Sequence, residues 1–304
     1  MSVINTNVNS LVAQNAVNIN ARNLSKAMEQ LSTGKRINGA KDDAAGLSIA
    51  QVMTSQIRGL NQAIRNANDG ISLLQTADGA MIEQSNMLQR MRELAVQAAS
   101  DTVTDTQKGF LHNEFSALRT EINRIGANTS WNDRNLLDGS GGLAGASSTI
   151  TGTTVAPAPG AYAFQVGSSY TTVIVDIPNA RTTGATAAAG GVQAGTSAIY
   201  GSIDASSIAS AAGAKDAIAA VDSSLTAANT ARSKLGAAIN QLTYAADNMS
   251  NIAMNTSESR SRIEDTDYAQ ASTELARTQI IQQAATAMLA QANQSPQSVL
   301  ALLK

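Results

Sequence analysis

Apolar residues recur every three or four positions through most of both halves of this chain, which is the spacing of a helix with one apolar face. The first half carries the longest series in one heptad phase: Leu60, Ala63, Ala67, Gly70, Leu74, Ala77, Met81, Gln84, Leu88, Met91, Ala95 and Ala98. This series predicts a single helix over 44–99, about 80 Å long at ~1.5 Å per residue. Asn68-Asp69-Gly70 and Ala77-Asp78-Gly79 resemble hairpin turns, but the unbroken phase favours a helix through both.

The second half contains a similar series, in a helix predicted to begin near Ile208. Its members are Ile218, Val221, Leu225, Ala228, Leu235, Ile239, Leu242, Ala246, Met249 and Ala253. Arg232 is the one charge on this face, and we interpret it as the point where the facing helix ends.

A shorter amphipathic helix is predicted between the two series, ending at Gly126 and folding back on the first long helix. Its apolar positions are Leu111, Phe115, Leu118, Ile122 and Ile125. Trp131, Asn132, Leu136 and Leu137 are predicted to close that end, with a turn at Asp138-Gly139.

Both ends of the chain carry weaker apolar stripes and few charges. Thr278–Leu303 has 26 residues without a charge, and glutamines interrupt it too often for a membrane span. Its stripe consists of Ile280, Ile281, Ala284, Ala287, Met288 and Ala292, and the N-terminal stripe consists of Ile4, Val8, Leu11, Val17, Ala21, Leu24, Met28 and Leu31. Each helix alone is marginal because its amide-rich face forms few ion pairs. The two ends are therefore predicted to pair along these stripes.

Two polar segments at similar distances from the two ends are predicted to be irregular connectors. They are Ser32–Lys41 and Thr256–Asp267. Asp42 and Asp43 are predicted to cap the helix that follows the first connector, and Asp265 and Asp267 are interpreted in the same way. An inner pair of terminal helices joined to an outer helical bundle follows from this symmetry.

The middle of the chain has a different composition. Thirteen of the 22 glycines lie between Gly139 and Gly213, and the four prolines leave both flanking regions free for long helices. Ala161–Val166 and Thr171–Ile177 predict a β-hairpin, and Arg181–Gly201 is predicted to be an exposed loop.

The predicted fold class is mainly α: a long antiparallel helical bundle or coiled coil built from both chain ends, with a small β-hairpin region in the middle. Three parts are predicted: a terminal-helix core (1–43 and 260–304), a helical rod with the hairpin (44–178 and 206–259), and a variable solvent-facing region (139–205).

Composition and charge exclude several functions. The net charge of -2 and the pI near 5.5 leave no basic surface for nucleic acid. The absence of cysteine excludes disulfides and thiolate metal sites. The N-terminal residues lack the charge and apolar pattern of an ordinary signal peptide, so the protein is expected to stay in the cytoplasm or to leave by an unconventional route.

Catalytic patterns are nearly absent. The sole histidine, His112, has no HExxH context and is interpreted as an ordinary surface histidine. No Walker loop, GxGxxG or EF-hand motif occurs, and the aspartate pairs at 42–43 and 265–267 are explained by helix capping. No catalytic residue, metal site or cofactor is predicted, and the protein is not expected to be an enzyme.

Four sequence blocks closely resemble bacterial flagellins. They are LSTGKRINGAKDDAAGLSIA (31–50), NANDGISLLQTADGA (66–80), LQRMRELAVQAA (88–99) and ANQSPQSVLALL (292–303). The resemblance covers about 1–138 and 215–304, whereas the middle matches only in YAFQVG (162–167). The chain is short for that family, which indicates that large outer domains are missing.

The resemblance implies a structural subunit that forms the helical filament of the flagellum. In that family the terminal helices form the inner tube, and Ile4, Leu11, Leu24, Leu31, Ile281, Met288, Val299, Leu300, Leu302 and Leu303 are the matching candidates for polymerisation contacts. The implied partners are further copies of the chain, an export chaperone, the flagellar type III export apparatus, and the hook–filament junction and cap proteins. The implied location is the extracellular filament, reached unfolded and without a cleaved signal peptide.

Two segments also resemble flagellin regions that host receptors sense. LQRMRELAVQAA is similar to the patch bound by Toll-like receptor 5, with Gln89, Arg90, Glu93 and Leu94 matching by position and Glu114 on the neighbouring helix. Leu88, Met91 and Ala95 are assigned to the core, and Met91 departs from the commoner valine. Glu29–Ala50 is similar to the peptide sensed by plant receptor kinases, although Lys35 and Gly39 replace common serines.

Two alternatives to a filament subunit are a cytoplasmic coiled-coil protein and a flagellin that carries an enzyme. A cytoplasmic coiled-coil scaffold or cytoskeletal filament protein also has heptads and no catalytic site, but it has no need for two uncharged terminal helices. A flagellin with a zinc protease inserted in its middle is excluded because 139–213 contains no histidine.

Overall fold

The computed structural model describes residues 7–140, 148–150, 153–155, 160–167, 171–182 and 198–301, and only the backbone at 148–150, 153–155 and 295–301. Within these residues the helices are α1 (Val8–Thr33), α2 (Ala44–Ala98), α3 (Asp105–Asn128), α4 (Ala211–Glu264) and α5 (Tyr268–Ala301). The strands are β1 (Ser130–Trp131), β2 (Arg134–Asn135), β3 (Ser148–Ile150), β4 (Thr153–Val155), β5 (Ala161–Gln165) and β6 (Thr172–Asp176), and a short 3₁₀ helix spans Gly201–Ile203. The predicted fold class is confirmed.

The chain divides into two compact units. Unit 1 contains Met1–Ile57 and Met254–Lys304, and unit 2 contains Arg58–Ala253. The division into three parts given above stays a prediction.

The long heptad series of the first half is confirmed as one face of a single helix. α2 continues through both Asp-Gly pairs, and all twelve positions of the series are buried. Leu73 and Leu94 are buried as well, because α3 and the hairpin widen the covered face beyond a two-position seam. Many of the buried residues are alanines, which let neighbouring helices approach closely.

The packing of unit 2 is antiparallel. Arg92 of α2 pairs with Asp222 of α4 at 2.6 Å, and Asp78 pairs with Arg232 at 2.8 Å. The prediction that Arg232 marks the end of the facing helix is therefore wrong: it contacts the interior of α2, where a partly buried carboxylate compensates its charge.

α3 begins at a capping box, in which Thr104 accepts a hydrogen bond from the Gln107 backbone and the Gln107 side chain accepts one from Thr104. Phe115 and Ile122 are fully buried in the unit 2 core, as their spacing predicts. The helix ends at Asn128, two residues beyond the predicted stop at Gly126. Gly126 lies instead where the chain segment around Ala180 crosses the helix.

The predicted hairpin is confirmed, with β5 and β6 antiparallel and Tyr162 opposite Val175. Tyr162 and Val175 are buried against the helices. A Cβ at Gly70 of α2 would lie 2.8 Å from the Phe164 ring. This glycine in the middle of a helix therefore provides space for the hairpin.

The connector before α2 is irregular, as predicted, and α1 stops at Gly34, which has a left-handed φ of 70°. Asp43 caps α2 by accepting from the Gly46 amide at 2.9 Å, and Asp267 caps α5 by accepting from the Ala269 amide at 2.9 Å. Asp42 has another role: its hydrogen bond with Lys26, supported by the Asn38 and Gly39 amides, holds the pKa of its carboxyl below the usual value.

The prediction of an irregular segment over Thr256–Asp267 is wrong for most of its length. α4 continues to Glu264, and only the residues between it and Tyr268 leave the helix. The run has neither glycine nor proline, and Glu258 pairs with Arg262 one turn later. A polar composition alone does not break a helix that is already propagating.

A buried polar group fixes the position of the segment that follows the hairpin. The Gln84 side-chain amide donates to the carbonyls of Ile122 at 3.1 Å and Ala180 at 2.9 Å, and the Tyr200 hydroxyl donates to Gln84 Oε1 at 3.3 Å. Burial raises the pKa of Tyr200, so its hydroxyl keeps the proton that it donates. These bonds join α2 and α3 to the segment around Ala180. The prediction of an exposed loop over Arg181–Gly201 is therefore wrong at its described ends, where Thr182 and Tyr200 are buried, and residues 183–197 lie outside the described residues.

Candidate assembly surfaces

The two terminal helices pair in unit 1, as predicted, in an antiparallel arrangement. Asn20 Nδ2 donates to the Thr278 carbonyl, Asn7 Nδ2 to the Ala292 carbonyl and Ser10 Oγ to Asn293 Oδ1, each at 2.8 Å. Polar side chains therefore carry much of this contact. The buried residues of α1 and of the described part of α5 are only Asn20, Ala27, Ala271 and Thr278.

The predicted pairing stripe of α5 is largely not the face that meets α1. The buried and half-buried positions on the pairing side include Ala271, Leu275, Thr278, Gln282, Ala285, Leu289 and Ala292. Of the predicted stripe, only Ala292 belongs to this set. Ile280, Ile281 and Met288 are 67%, 41% and 66% exposed. Besides Leu275 and Leu289, the pairing side consists of small and polar residues that allow the two helices to approach, and Ile280, Ile281 and Met288 stay uncovered.

α1 shows the same division between a pairing face and an uncovered apolar face. Of its predicted polymerisation residues, Leu24 and Leu31 are half-buried and Leu11 is exposed. Further exposed apolar side chains on this helix are Val8, Val12, Ile19 and Met28.

Five of the predicted polymerisation residues lie where the structure describes no side chain. Ile4, Leu302 and Leu303 lie outside the described residues, and Val299 and Leu300 are described only as helical backbone of α5. Their role stays a prediction.

A groove of about 710 Å³ runs between the two terminal helices. Val12, Ala13 and Ala16 of α1 and Ala285, Met288 and Ala292 of α5 form its apolar walls, and Asn9 and Gln291 supply amides. An open apolar groove beside exposed aliphatic side chains is typical of a protein-binding surface.

One end of the helix pair, where α1 ends and α5 begins, is anchored by the connectors. The Arg36 amide donates to the Glu264 carbonyl at 2.7 Å, and the Thr266 amide donates to the Gly34 carbonyl at 3.0 Å. Lys35 Nζ forms an ion pair with Glu264 at 2.6 Å. The connectors of the two chain ends therefore lie side by side as a short antiparallel bridge.

A second candidate surface lies in unit 2, on α2 and α3. Arg90 pairs with Glu93 at 2.9 Å and with Glu114 at 3.0 Å, and all three side chains are exposed, as predicted. The hydrogen bond to Glu93, followed by that to Glu114, raises the pKa of Arg90. Leu94, by contrast, is 1% exposed, so it belongs to the core and offers a receptor no surface. Gln89 is exposed beside a groove that Arg92, Glu93, Val96 and Gln97 also line.

His112 lies at the rim of unit 2, where its Nδ1 accepts a hydrogen bond of 3.5 Å from the Ile208 amide. Among the residues that the structure describes, no group of three His, Cys, Asp or Glu side chains could hold a metal ion. No helix in the described part of the chain is both long and apolar enough to cross a membrane.

Comparison with known proteins matches both ends of the chain to family models. Residues 4–141 match the bacterial flagellin N-terminal helical region, and residues 218–303 match the bacterial flagellin C-terminal helical region.

Individual relatives match nearly the whole chain. A flagellin of Halalkalibacterium halodurans is 41% identical over 303 residues, covering 99% of this chain and 100% of the relative. Flagellin B of Vibrio cholerae is 35% identical over 374 aligned positions, covering 99% of each chain, so that relative carries additional residues. The crystal structure of Bacillus cereus flagellin is 25% identical and aligns with 61% of this chain and 88% of its own, with a TM-score of 0.45.

Proposed function

The chain belongs to the bacterial flagellin family and is a structural subunit of the flagellar filament, and on this premise we propose that α1 and α5 form the surface by which one subunit binds the next. The family is structural, so the protein is not an enzyme, and a cytoplasmic scaffold is not favoured. The surface consists of the outward apolar face of both helices and the groove between them.

The observation that carries this proposal is the outward direction of the apolar side chains on α5. A helix pair that served only to stabilise its own subunit would cover Ile280, Ile281 and Met288, which are exposed instead. Covering each of these against a neighbouring subunit contributes about 1.5–3 kcal/mol. The contact is head-to-tail between identical chains and produces an open polymer when its rotation does not close.

We further propose that the terminal helices fold together with assembly. Fixing the 26 residues of α1 and the 34 of α5 costs about 1–2 kcal/mol per residue in backbone entropy. Among the residues whose burial the structure describes, the pair buries only four, and two of these are polar. Their burial therefore offsets little of the entropy cost. The remainder must come from contacts with other subunits, so ordering of the ends and polymerisation become one event.

Polymerisation should therefore increase helicity by an amount approaching the residues of α1 and α5. Circular dichroism of the monomer and of salt-induced filaments, with electron microscopy to confirm filaments, measures this gain. Fluorescence of Trp131, the sole tryptophan, reports on unit 2 and should show it folded in both states. Filaments that form with no helical gain would contradict coupled folding.

We also propose that the chain reaches the extracellular filament through the type III export apparatus, with an export chaperone bound to its C-terminal segment. In the filament, the hook–filament junction proteins and the cap proteins contact the subunits at the two ends. Family membership supports this proposal. Filaments sheared from cells should contain a chain whose N-terminal sequence begins at Met1 or Ser2. A chain shortened at its N-terminus would show that a leader is cleaved.

The exposed cluster of Gln89, Arg90, Glu93 and Glu114 is proposed as a contact for Toll-like receptor 5. Arg90 joins the carboxylates of two helices, so its removal leaves both without their partner at the centre of the patch. Arg90→Ala should weaken receptor activation by monomer about tenfold, as for a central interface arginine. A dose–response curve in receptor-expressing cells measures this change.

Arg124→Ala is the matched control, because Arg124 forms an exposed ion pair with Glu121 on α3 outside the patch. Both variants should unfold at the wild-type temperature, since exposed ion pairs contribute little stability. Equal potency of Arg90→Ala and Arg124→Ala would remove the assignment.

Glu29–Ala50 is proposed as the segment that a plant flagellin receptor kinase senses. In the folded subunit it forms the end of α1, the connector and the start of α2, so a receptor would meet it as a released peptide. A synthetic peptide of these residues should trigger an oxidative burst in responsive leaf tissue. A peptide with the same composition in scrambled order is the control, and an equal response to both would reject the proposal.

A further inference from the structure

Exposed methionines occur in only one of the two units among the described residues, whereas Met53 and Met87, one in each unit, are half-buried. Met81, Met91 and Met249 are buried in unit 2, whereas the exposed methionines among the described residues, Met28, Met254 and Met288, all belong to unit 1. Of these three, Met288 alone lines the groove between α1 and α5. Thioether sulfur is the oxidisable group of that groove wall, and its exposure leaves it open to small oxidants.

We propose that Met288 is an oxidation site that blocks addition of the subunit to a filament. The oxidant is hydrogen peroxide or an organic hydroperoxide. The Met288 sulfur attacks one peroxide oxygen, the O–O bond breaks and an S–O bond forms. The sulfur loses two electrons, and the other oxygen takes up the proton that the transferred hydroxyl oxygen gives up and leaves as water or an alcohol. This inference rests on the proposed role of the groove as a subunit contact.

The groove environment explains why this oxidation would matter. Its walls beside Met288 are alanines and Val12, so a covering subunit would remove the sulfoxide from water without supplying a donor from these walls. In the free subunit, whose terminal helices are proposed to order only on assembly, water supplies the donors for the sulfoxide, whereas in the covered groove only the amides of Asn9 and Gln291 could replace that water. Oxidation therefore stabilises the free subunit relative to the assembled one.

Met28 belongs to the outward apolar face of α1, so Met254 is the internal control. Met28 and Met254 are 55% and 60% exposed, close to Met288, so peroxide reaches all three. Met254 lies on α4, outside the terminal helix pair, and its sulfoxide should not affect subunit addition. Met28 lies on α1 but does not line the groove.

The test uses full-length monomer that has been partly oxidised with hydrogen peroxide and then added to unoxidised filament seeds. Filament and supernatant are separated, and peptide mass spectrometry measures the sulfoxide fraction at each methionine. Met288 sulfoxide should be about tenfold enriched in the supernatant, while Met254 sulfoxide should be equally distributed. Treatment with methionine sulfoxide reductases for both epimers should return the supernatant protein to assembly. Equal distribution of Met288 sulfoxide and Met254 sulfoxide would overturn the proposal.

A variant series gives an independent measurement and separates this proposal from the assembly surface itself. The elongation rate of peroxide-treated Met288→Leu, divided by its own untreated rate, should stay near one. The same ratio for Met254→Leu should fall as in the wild type. Ile281→Lys, without oxidation, tests the surface. If Ile281→Lys fails to elongate while Met288 sulfoxide enters filaments freely, only the oxidation proposal is wrong. If Ile281→Lys elongates normally, the proposed assembly surface is wrong, and the oxidation proposal loses its basis.

Discussion

Removal of Gln294–Lys304 should abolish filament formation and leave the unfolding of unit 2 unchanged. The cut falls just after Asn293, whose side chain accepts a hydrogen bond from Ser10, so the hydrogen bonds that pair α1 with α5 are kept. The removed segment contains Val299, Leu300, Leu302 and Leu303, each of which would contribute about 1.5–3 kcal/mol if buried between subunits. Losing all four contributions would remove a free energy comparable to the whole binding free energy of an ordinary subunit contact.

Electron microscopy and sedimentation after salt-induced polymerisation measure filament formation, and Trp131 fluorescence during heating measures the unfolding of unit 2. A full-length variant in which Val299, Leu300, Leu302 and Leu303 are replaced by serine is the control for chain length, and it should fail to polymerise in the same way. Deletion of Lys304 alone should have no effect. Filaments of normal stability from the truncated chain would show that the C-terminal residues are not the assembly switch.

Gly126→Ala should lower the free energy of unfolding of unit 2 by about 1–3 kcal/mol, as an overpacked core substitution does. A Cβ at this position would lie 2.6 Å from the Ala180 carbonyl oxygen. That carbonyl accepts a hydrogen bond from Gln84, and the Ala180 amide donates to the Leu137 carbonyl at 2.8 Å. The segment is therefore held from both sides, and the clash is relieved only if one of these bonds lengthens.

Gly109→Ala is the matched control on the same helix. Nothing lies within 4 Å of a Cβ at Gly109, so this substitution should raise stability by about 0.5–1 kcal/mol through helix propensity. Urea unfolding of the full-length chain, followed by Trp131 fluorescence, gives both values. The two substitutions are expected to shift the midpoint in opposite directions. A stabilising Gly126→Ala would mean that the segment around Ala180 does not lie against α3.

The local pattern predicted the helices of unit 2 well. The twelve heptad positions of α2 are all buried because a partner along the whole helix must cover a stripe with a constant phase. The hairpin was also predictable, since two β-prone runs, Ala161–Val166 and Thr171–Ile177, are separated by a short stretch that begins with glycine and serine. In both cases the information lies within a short stretch of chain.

Polar composition was a poor guide to where a helix ends. Thr256–Glu264 is helical despite its resemblance to a connector, because it lacks a residue that breaks a helix and α4 continues into it. Gly126 and Gly109 look equivalent in sequence, yet only Gly126 is crossed by another segment. The difference between the two glycines depends on a distant part of the chain.

The sequence by itself determined that both ends are amphipathic helices with few charges, that a long helical bundle lies between them, and that the chain resembles flagellins. Only the tertiary structure decided which face of each terminal helix meets the other. Periodicity shows that Ile280, Ile281 and Met288 lie near one another on α5, but not which surface covers them. In the structure, residues such as Thr278, Ala285 and Ala292 lie on the pairing face, whereas Ile280, Ile281 and Met288 stay exposed. The physical reason is that small and hydrogen-bonding residues let two helices approach closely, whereas exposed aliphatic side chains still gain free energy from a further partner.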